Sequence, residues 1–313
     1  MAKYRGQLPQ LMDRLFLTDG GIETTLIFQD GLELPHFAAY TLLQKRDGSQ
    51  ALSNYFETYA RLARVLGTGI VLETPTWRAS TDWGRHFGHD DRELAKWNEA
   101  SVQQLEQIRD EWETATSPIV ISGCVGPRGD GYDPGEMLTQ DDAQAYHQAQ
   151  IATFARSGAD LVTAITMTHC GEAIGVVRAA EAEQMPVVIS FTVETDGTLP
   201  SGQGLADAIR ETDAATNAAP AYYMINCAHP THFETVLDPD ASWAARIQGL
   251  RCNASAMSHA ELDEAAELDD GDPEELGRQY RALQQRLPRL RVVGGCCGTD
   301  QRHVEAVARA CLG

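Results

Sequence analysis

Eight short apolar runs, most of them rich in β-branched residues, recur along the chain and limit what it can fold into. They are "LFLTDGG" (15–21), "GIVLETPTW" (69–77), "PIVISGCVGP" (118–127) and "ADLVTAITMT" (159–168), then "PVVISFTVE" (186–194), "AYYMINCAHP" (221–230), "IQGLRCNAS" (247–255) and "LRVVGGCCG" (290–298). Segments between them, such as "SNYFETYARLARVLG" and "DDAQAYHQAQIATFARSG", place apolar residues three and four apart and close on glycine. That is the pattern of an amphipathic helix with its C-terminal stop. Near-continuous apolar strands alternating with such helices indicate a parallel sheet buried on both faces. Eight such units in 313 residues fit a single closed (β/α)8 TIM barrel of the α/β class better than an open doubly wound sheet.

No low-complexity linker divides the chain, so one domain over residues 1–313 is expected. The acidic stretch "HAELDEAAELDDGDPEEL" (259–276) reads as a loop leading into a helix that starts at Asp272-Pro273. A net charge of −20 and a pI near 4.7 repel phosphate backbones and anionic membranes, which argues against a nucleic-acid partner. No apolar window approaches the twenty residues of a membrane span. The opening "MAKYRGQLPQLMDRLF" lacks a signal peptide's apolar core. Seven scattered cysteines argue against a disulfide framework, and a cytoplasmic location is expected. Neither a G-x-G-x-x-G fingerprint after the first strand nor a P-loop is present.

In barrels of this kind the active site lies at the C-terminal ends of the strands. Cys227 ends the sixth run, and Cys296 and Cys297 end the eighth, so three cysteines fall on one rim; Cys124 and Cys252 share it. Neighbouring cysteines seldom pair with each other, because the ring strains both the peptide and the disulfide. Three thiolates suit Zn2+, with an open fourth position if the site is catalytic. A fourth protein ligand, such as His229, would instead make a closed structural site. A zinc hydrolase or lyase fits less well, since a sulfur-rich shell weakens the metal as a Lewis acid.

Four motifs in order, "LTDGGIETTL", "GCVGP", "INCAHP" and "VGGCCGT", together with "SFTVETDGTLPSGQGLADAI" (190–209), resemble the zinc-dependent homocysteine S-methyltransferases. The resemblance covers nearly the whole chain. It implies a (β/α)8 barrel with Cys227, Cys296 and Cys297 as zinc ligands and reaction centre. It further implies methyl transfer of the EC 2.1.1 type from a sulfonium or quaternary ammonium donor to a zinc-bound thiol, homocysteine, giving methionine. Asp19 matches the residue that holds the amino group of homocysteine, with Gly20 and Gly21 allowing close backbone approach. Thr166 falls among the substrate-binding residues. Asn226 is either an orienting neighbour of Cys227 or a turn residue. Trp77 is either an aromatic face for the cationic donor or a rim core residue.

Two departures concern the acceptor. Ile165 stands where relatives usually carry a Glu that shares the amino group with Asp19, and "LETPTW" keeps only Thr74, Thr76 and Trp77 of the pattern on strand two. Loss of one charge-assisted hydrogen bond weakens binding by about 1.5–3 kcal/mol. Glu73 and Glu23 are candidates to compensate, and Glu172 is expected in the following helix. A different thiol acceptor is the alternative. The chain ends shortly after the cysteine pair, without the long arm of tetrameric relatives, so a monomer or small homo-oligomer is expected.

Overall fold

A computed structural model describes residues 2–264 and 267–313 of the chain. Eight parallel strands close into a barrel in sequence order. They are β1 (Phe16–Leu17), β2 (Gly69–Glu73), β3 (Ile119–Val125), β4 (Leu161–Met167), β5 (Val187–Phe191), β6 (Tyr222–Asn226), β7 (Ile247–Cys252) and β8 (Val292–Gly295). Phe16 pairs with both Gly69 and Val292, which closes the ring. Apart from Gln248 on β7, every strand residue is buried, because helices cover the outer face and neighbouring strands fill the inner one. The expected barrel is therefore present, with each strand inside its quoted run.

The helices are α1 (Arg46–Leu66), α2 (Thr81–Arg85), α3 (Asp91–Trp112), α4 (Gln140–Arg156) and α5 (Cys170–Ala182), followed by α6 (Leu205–Ala215), α7 (Pro230–Phe233), α8 (His259–Glu264), α9 (Pro273–Arg286) and α10 (Gln301–Leu312). Their ends follow local chemistry. Asp90 and Glu93 form a reciprocal capping box before α3. Asp272 accepts from the Glu274 and Glu275 amides, with Pro273 at the first helical position. The helix start read at Asp272-Pro273 is thus observed; residues 265 and 266 of the same acidic stretch lie outside the described residues.

Two irregularities shape the mouth of the barrel. The β4–β5 register shifts between Ala164 and Met167, and Thr166 within that bulge has φ +63°. Cys227, just past β6, has φ +54°. Non-glycine residues in the left-handed region are uncommon and persist only where surrounding bonds hold them. Among the described residues no helix is long and apolar enough to cross a membrane.

Candidate active site

Cys227 follows β6 and the Cys296–Cys297 pair follows β8; their three Sγ atoms lie within 4.8 Å of one another. The backbone supplies this convergence. The Cys227 amide donates to the Arg251 carbonyl (3.1 Å), and His259 Nε2 donates to the Cys227 carbonyl (2.6 Å). The Cys296 amide donates to the Cys252 carbonyl (2.9 Å), and Thr299 Oγ1 donates to the Cys296 carbonyl (2.7 Å). Gly298, at φ +78°, turns the chain and donates to Thr24 Oγ1 (2.9 Å). Gly21 lies so close that a Cβ there would sit 2.6 Å from the Cys296 carbonyl oxygen. The glycines after Asp19 thus seat the cysteine turn as well as lining the mouth.

The donor set fits zinc. Sulfur ligands at about 2.3 Å from a tetrahedral ion stand about 3.8 Å apart, and three sulfurs already lie within 4.8 Å. Cys227 and Cys296 stand in a disulfide contact, with Cα atoms 5.4 Å apart. A metal binds thiolates, so ion binding requires that pair reduced. Among the described residues no His, Asp or Glu joins the trio at this spacing. His229 caps α7 through Thr231, and burial pulls its imidazole down to about 4. Cys252 and Cys124 are buried apart from the trio. Burial, then the nearby Glu73 carboxylate, pushes the Cys124 thiol well up.

Asn226 ties the two strained segments together. Its Oδ1 accepts from the Thr166 amide (2.9 Å) and from Ser190 Oγ (2.6 Å), while Nδ2 donates to Thr166 Oγ1 (2.9 Å). These bonds fix the Ile165–Thr166 bulge against the residue immediately before Cys227. Ile165 is itself buried, and its carbonyl accepts from Trp77 Nε1 (3.4 Å). Glu172 does lie in α5, where His147 Nε2 (2.9 Å) and the Arg128 amide (2.7 Å) occupy its Oε1.

The electrostatic centre is a residue that motif reading passed over. Arg251 of β7 contacts Asp19 Oδ1 through Nη2 (2.7 Å) and Glu73 Oε2 through Nη1 (2.7 Å). It also donates from Nε to the Gly295 carbonyl (3.1 Å) and from Nη2 to the Gly20 carbonyl (3.3 Å). Tyr55 donates to Asp19 Oδ2 (2.9 Å). Asp19 Oδ1 stands in ion-pair contact with the guanidinium at 2.7 Å, with no other donor aligned on it. Burial pushes the Asp19 carboxyl up, and Arg251 opposes that. Burial likewise pushes Glu73 and Glu23 up to about 7; for Glu73 the cation of Arg251 is the main opposing influence.

One aromatic group borders the thiols and a second packs against the loop that carries it. Tyr132 OH lies 3.5 Å from Cys297 Sγ, and its ring stacks on His259 at 4.1 Å. Trp77 carries the Arg78 guanidinium 3.8 Å above its ring, and Trp83 covers the same guanidinium at 3.6 Å.

The homocysteine S-methyltransferase family model matches residues 16–311. The chain belongs to the homocysteine S-methyltransferase family. It is accordingly an S-methyltransferase, an enzyme of EC 2.1.1 type. Homocysteine S-methyltransferase 1 of Arabidopsis thaliana is 23% identical over 317 residues, covering 94% of this chain and 92% of that protein. Homocysteine S-methyltransferase 3 of the same plant is 23% identical over 202 residues, covering 61% of this chain and 57% of its own length. Among solved structures, the oxidized form of the Escherichia coli homocysteine methyltransferase MmuM superposes with TM-score 0.75 at 18% identity, covering 98% of this chain and 99% of MmuM. Its metallated form gives 0.73 at 18% identity, with coverage of 95% and 96%. At that identity the likeness bears on the fold: this family member has the same barrel as MmuM.

Sequence reasoning missed Arg251, Arg78, Tyr132 and His259. A signal existed for Arg251, since an arginine inside a strand that is buried on both faces must find buried partners. Tyr132 and His259 lie in loop and acidic segments, where nothing local marks a side chain as inward-facing.

Proposed function

We propose that this family member, acting as one catalytic domain, transfers a methyl group from a small sulfonium or quaternary ammonium donor to the thiol of homocysteine, with zinc on Cys227, Cys296 and Cys297. The observation that carries the reading is the gathering of those three sulfurs beside Asp19 at the C-terminal mouth of the barrel. Zinc held by Cys227, Cys296 and Cys297 would supply an open position and favour the thiolate form of an acceptor thiol at neutral pH. The chain's own residues do the rest. Asp19 would hold the acceptor's ammonium alongside its contact with Arg251, and Glu23 lies near enough to feel the Asp19 charge. Asn226 and His259 fix the backbone on either side of Cys227, which holds its sulfur where it would ligate the ion. Tyr132 beside Cys297 offers an aromatic face to the cationic donor.

One observation favours a second reading, a different thiol acceptor. Arg251 already pairs both Asp19 and Glu73, so Glu73 does not stand free to replace the carboxylate absent at Ile165. A matrix of thiols against onium donors, run with reduced, zinc-loaded protein and read by mass spectrometry, tests both. Methylated homocysteine formed only with zinc present supports the first; another methylated thiol supports the second. Equal turnover by zinc-free protein, or donor consumption without any thiol, contradicts the reading as a whole.

A further inference from the structure

Among the described residues three arginines are buried: Arg78, Arg109 and Arg251. Two are fully engaged. Arg109 pairs with Asp160 (2.9 Å) and Glu106 (3.7 Å), and Arg251 with Asp19 and Glu73. Arg78, 3% exposed, differs. Its guanidinium lies between the Trp77 and Trp83 indoles at 3.8 and 3.6 Å, and Nη1 donates to the Gly129 carbonyl (2.8 Å). Its nearest carboxylate is Asp130 Oδ2 at 3.8 Å, on a side chain more than half exposed. Its Nε is buried with no hydrogen-bond partner. A buried cation costs a great deal unless it is paired and hydrogen-bonded, and two indole faces supply no acceptor to its edge.

Arg78 belongs to the same compartment as the thiols. The loop that accepts its hydrogen bond at Gly129 carries Tyr132, whose hydroxyl reaches Cys297 Sγ at 3.5 Å. Three residues of extended chain span about 10 Å, which bounds the separation of the Gly129 and Tyr132 backbones. A Cβ at Gly131 would sit 3.0 Å from Trp77 and 3.2 Å from Thr166, so the indole, the loop and the β4 bulge are in contact. Glu23 lies close enough to bias Arg78.

The buried edge of Arg78 thus keeps unspent hydrogen-bonding capacity, whereas Asp19 and Glu73 are both held by Arg251. We propose that Arg78 is the specificity-determining receptor for the acceptor's carboxylate, its guanidinium edge held by Trp77 and Trp83 to meet the two carboxylate oxygens. This rests on the thiol-acceptor reading above and narrows it to acceptors with a carboxylate. Planar guanidinium and carboxylate match bidentately, and stacking fixes the plane in advance. Trp77 then serves as a wall for Arg78, and the donor cation is kept off the face that already carries a positive charge.

The test compares L-homocysteine with 3-aminopropane-1-thiol, which keeps the thiol and ammonium and lacks the carboxylate. Binding to reduced, zinc-loaded protein is measured by calorimetry, and methyl transfer in parallel. Wild-type protein is expected to bind homocysteine roughly 10- to 100-fold tighter than the aminothiol. Arg78→Gln is expected to abolish that preference by weakening homocysteine alone, with zinc content unchanged. Arg78→Lys keeps the charge and loses the fork, so it is expected to weaken homocysteine several-fold; it carries the test if the glutamine variant does not fold. Equal weakening of both thiols by either variant, or a wild type that binds the two alike, overturns the assignment of Arg78 while leaving the thiol-acceptor reading in place. A wild type that binds neither thiol removes both.

Discussion

Arg251→Gln gives the sharpest test of how the mouth of the barrel is held together. The guanidinium contacts Asp19 and Glu73 at 2.7 Å each, and all three side chains are at most 9% exposed. Removing the cation leaves two carboxylates in a low-dielectric cluster without their shared partner. Breaking a buried ion pair by deleting one member costs about 3–5 kcal/mol, against about 0–1 kcal/mol for a surface pair. The size of the loss depends on pH. Glu73 is held at about 7 with Arg251 present, so below that value the carboxyl takes a proton and asks less of the guanidinium. The penalty at pH 8 is therefore expected to exceed that at pH 5. Urea unfolding followed by circular dichroism measures it, together with the double variant Arg251→Gln/Glu73→Gln. The double variant is expected to recover about 1–3 kcal/mol relative to the sum of the singles. A penalty below about 1 kcal/mol, or strict additivity in the double variant, would refute the triad as a stabilising unit.

Two further outcomes follow from neighbouring geometry. Burial raises the Glu172 carboxyl, but hydrogen bonds from His147 and His169 outweigh it and hold the group at about 2 against an ordinary 4.5. A depressed carboxyl stabilises the fold above its unfolded value and loses that contribution as pH falls. Wild type should therefore lose roughly 3 kcal/mol relative to Glu172→Gln between pH 4.5 and about 2, seen as converging unfolding midpoints; parallel curves would count against it. Gly21→Ala places a methyl 2.6 Å from the Cys296 carbonyl oxygen and 2.6 Å from Thr24 Oγ1, so the cysteine turn must shift. Zinc bound per chain, measured by plasma emission, is expected to fall well below wild type, with about 1–3 kcal/mol lost in stability; full zinc occupancy would show the turn tolerates the methyl.

The barrel was legible because strands buried on both faces write themselves as β-branched runs, and all eight runs contain the observed strands. Their ends were less legible. The first run, 15–21, holds only Phe16 and Leu17 as strand, although the Thr18 amide still donates to the Val293 carbonyl (2.9 Å) and the Asp19 carbonyl accepts from the Gly295 amide (3.0 Å). The three cysteines were readable as a set from motif order, and the structure brings their sulfurs together. Arg251 was not, since Glu73 lies 178 residues from it in sequence and the pairing exists only after closure of the barrel. Trp77 stayed open between an aromatic face and a rim core residue, because nothing in "PTWR" states that the next residue folds back over the indole. Ile165 looked like a lost carboxylate in a linear comparison. In the structure it lies within the register shift, where Asn226 rather than an acidic side chain secures the strand end at Thr166.

Zinc-edge X-ray absorption on reduced, zinc-loaded protein, with and without homocysteine, bears most directly on the central claim. Three sulfur scatterers from Cys227, Cys296 and Cys297 are expected at rest, rising to four when the thiol is added. A sulfur count unchanged by homocysteine, or four protein ligands from the outset, would contradict an open thiolate site built for methyl transfer.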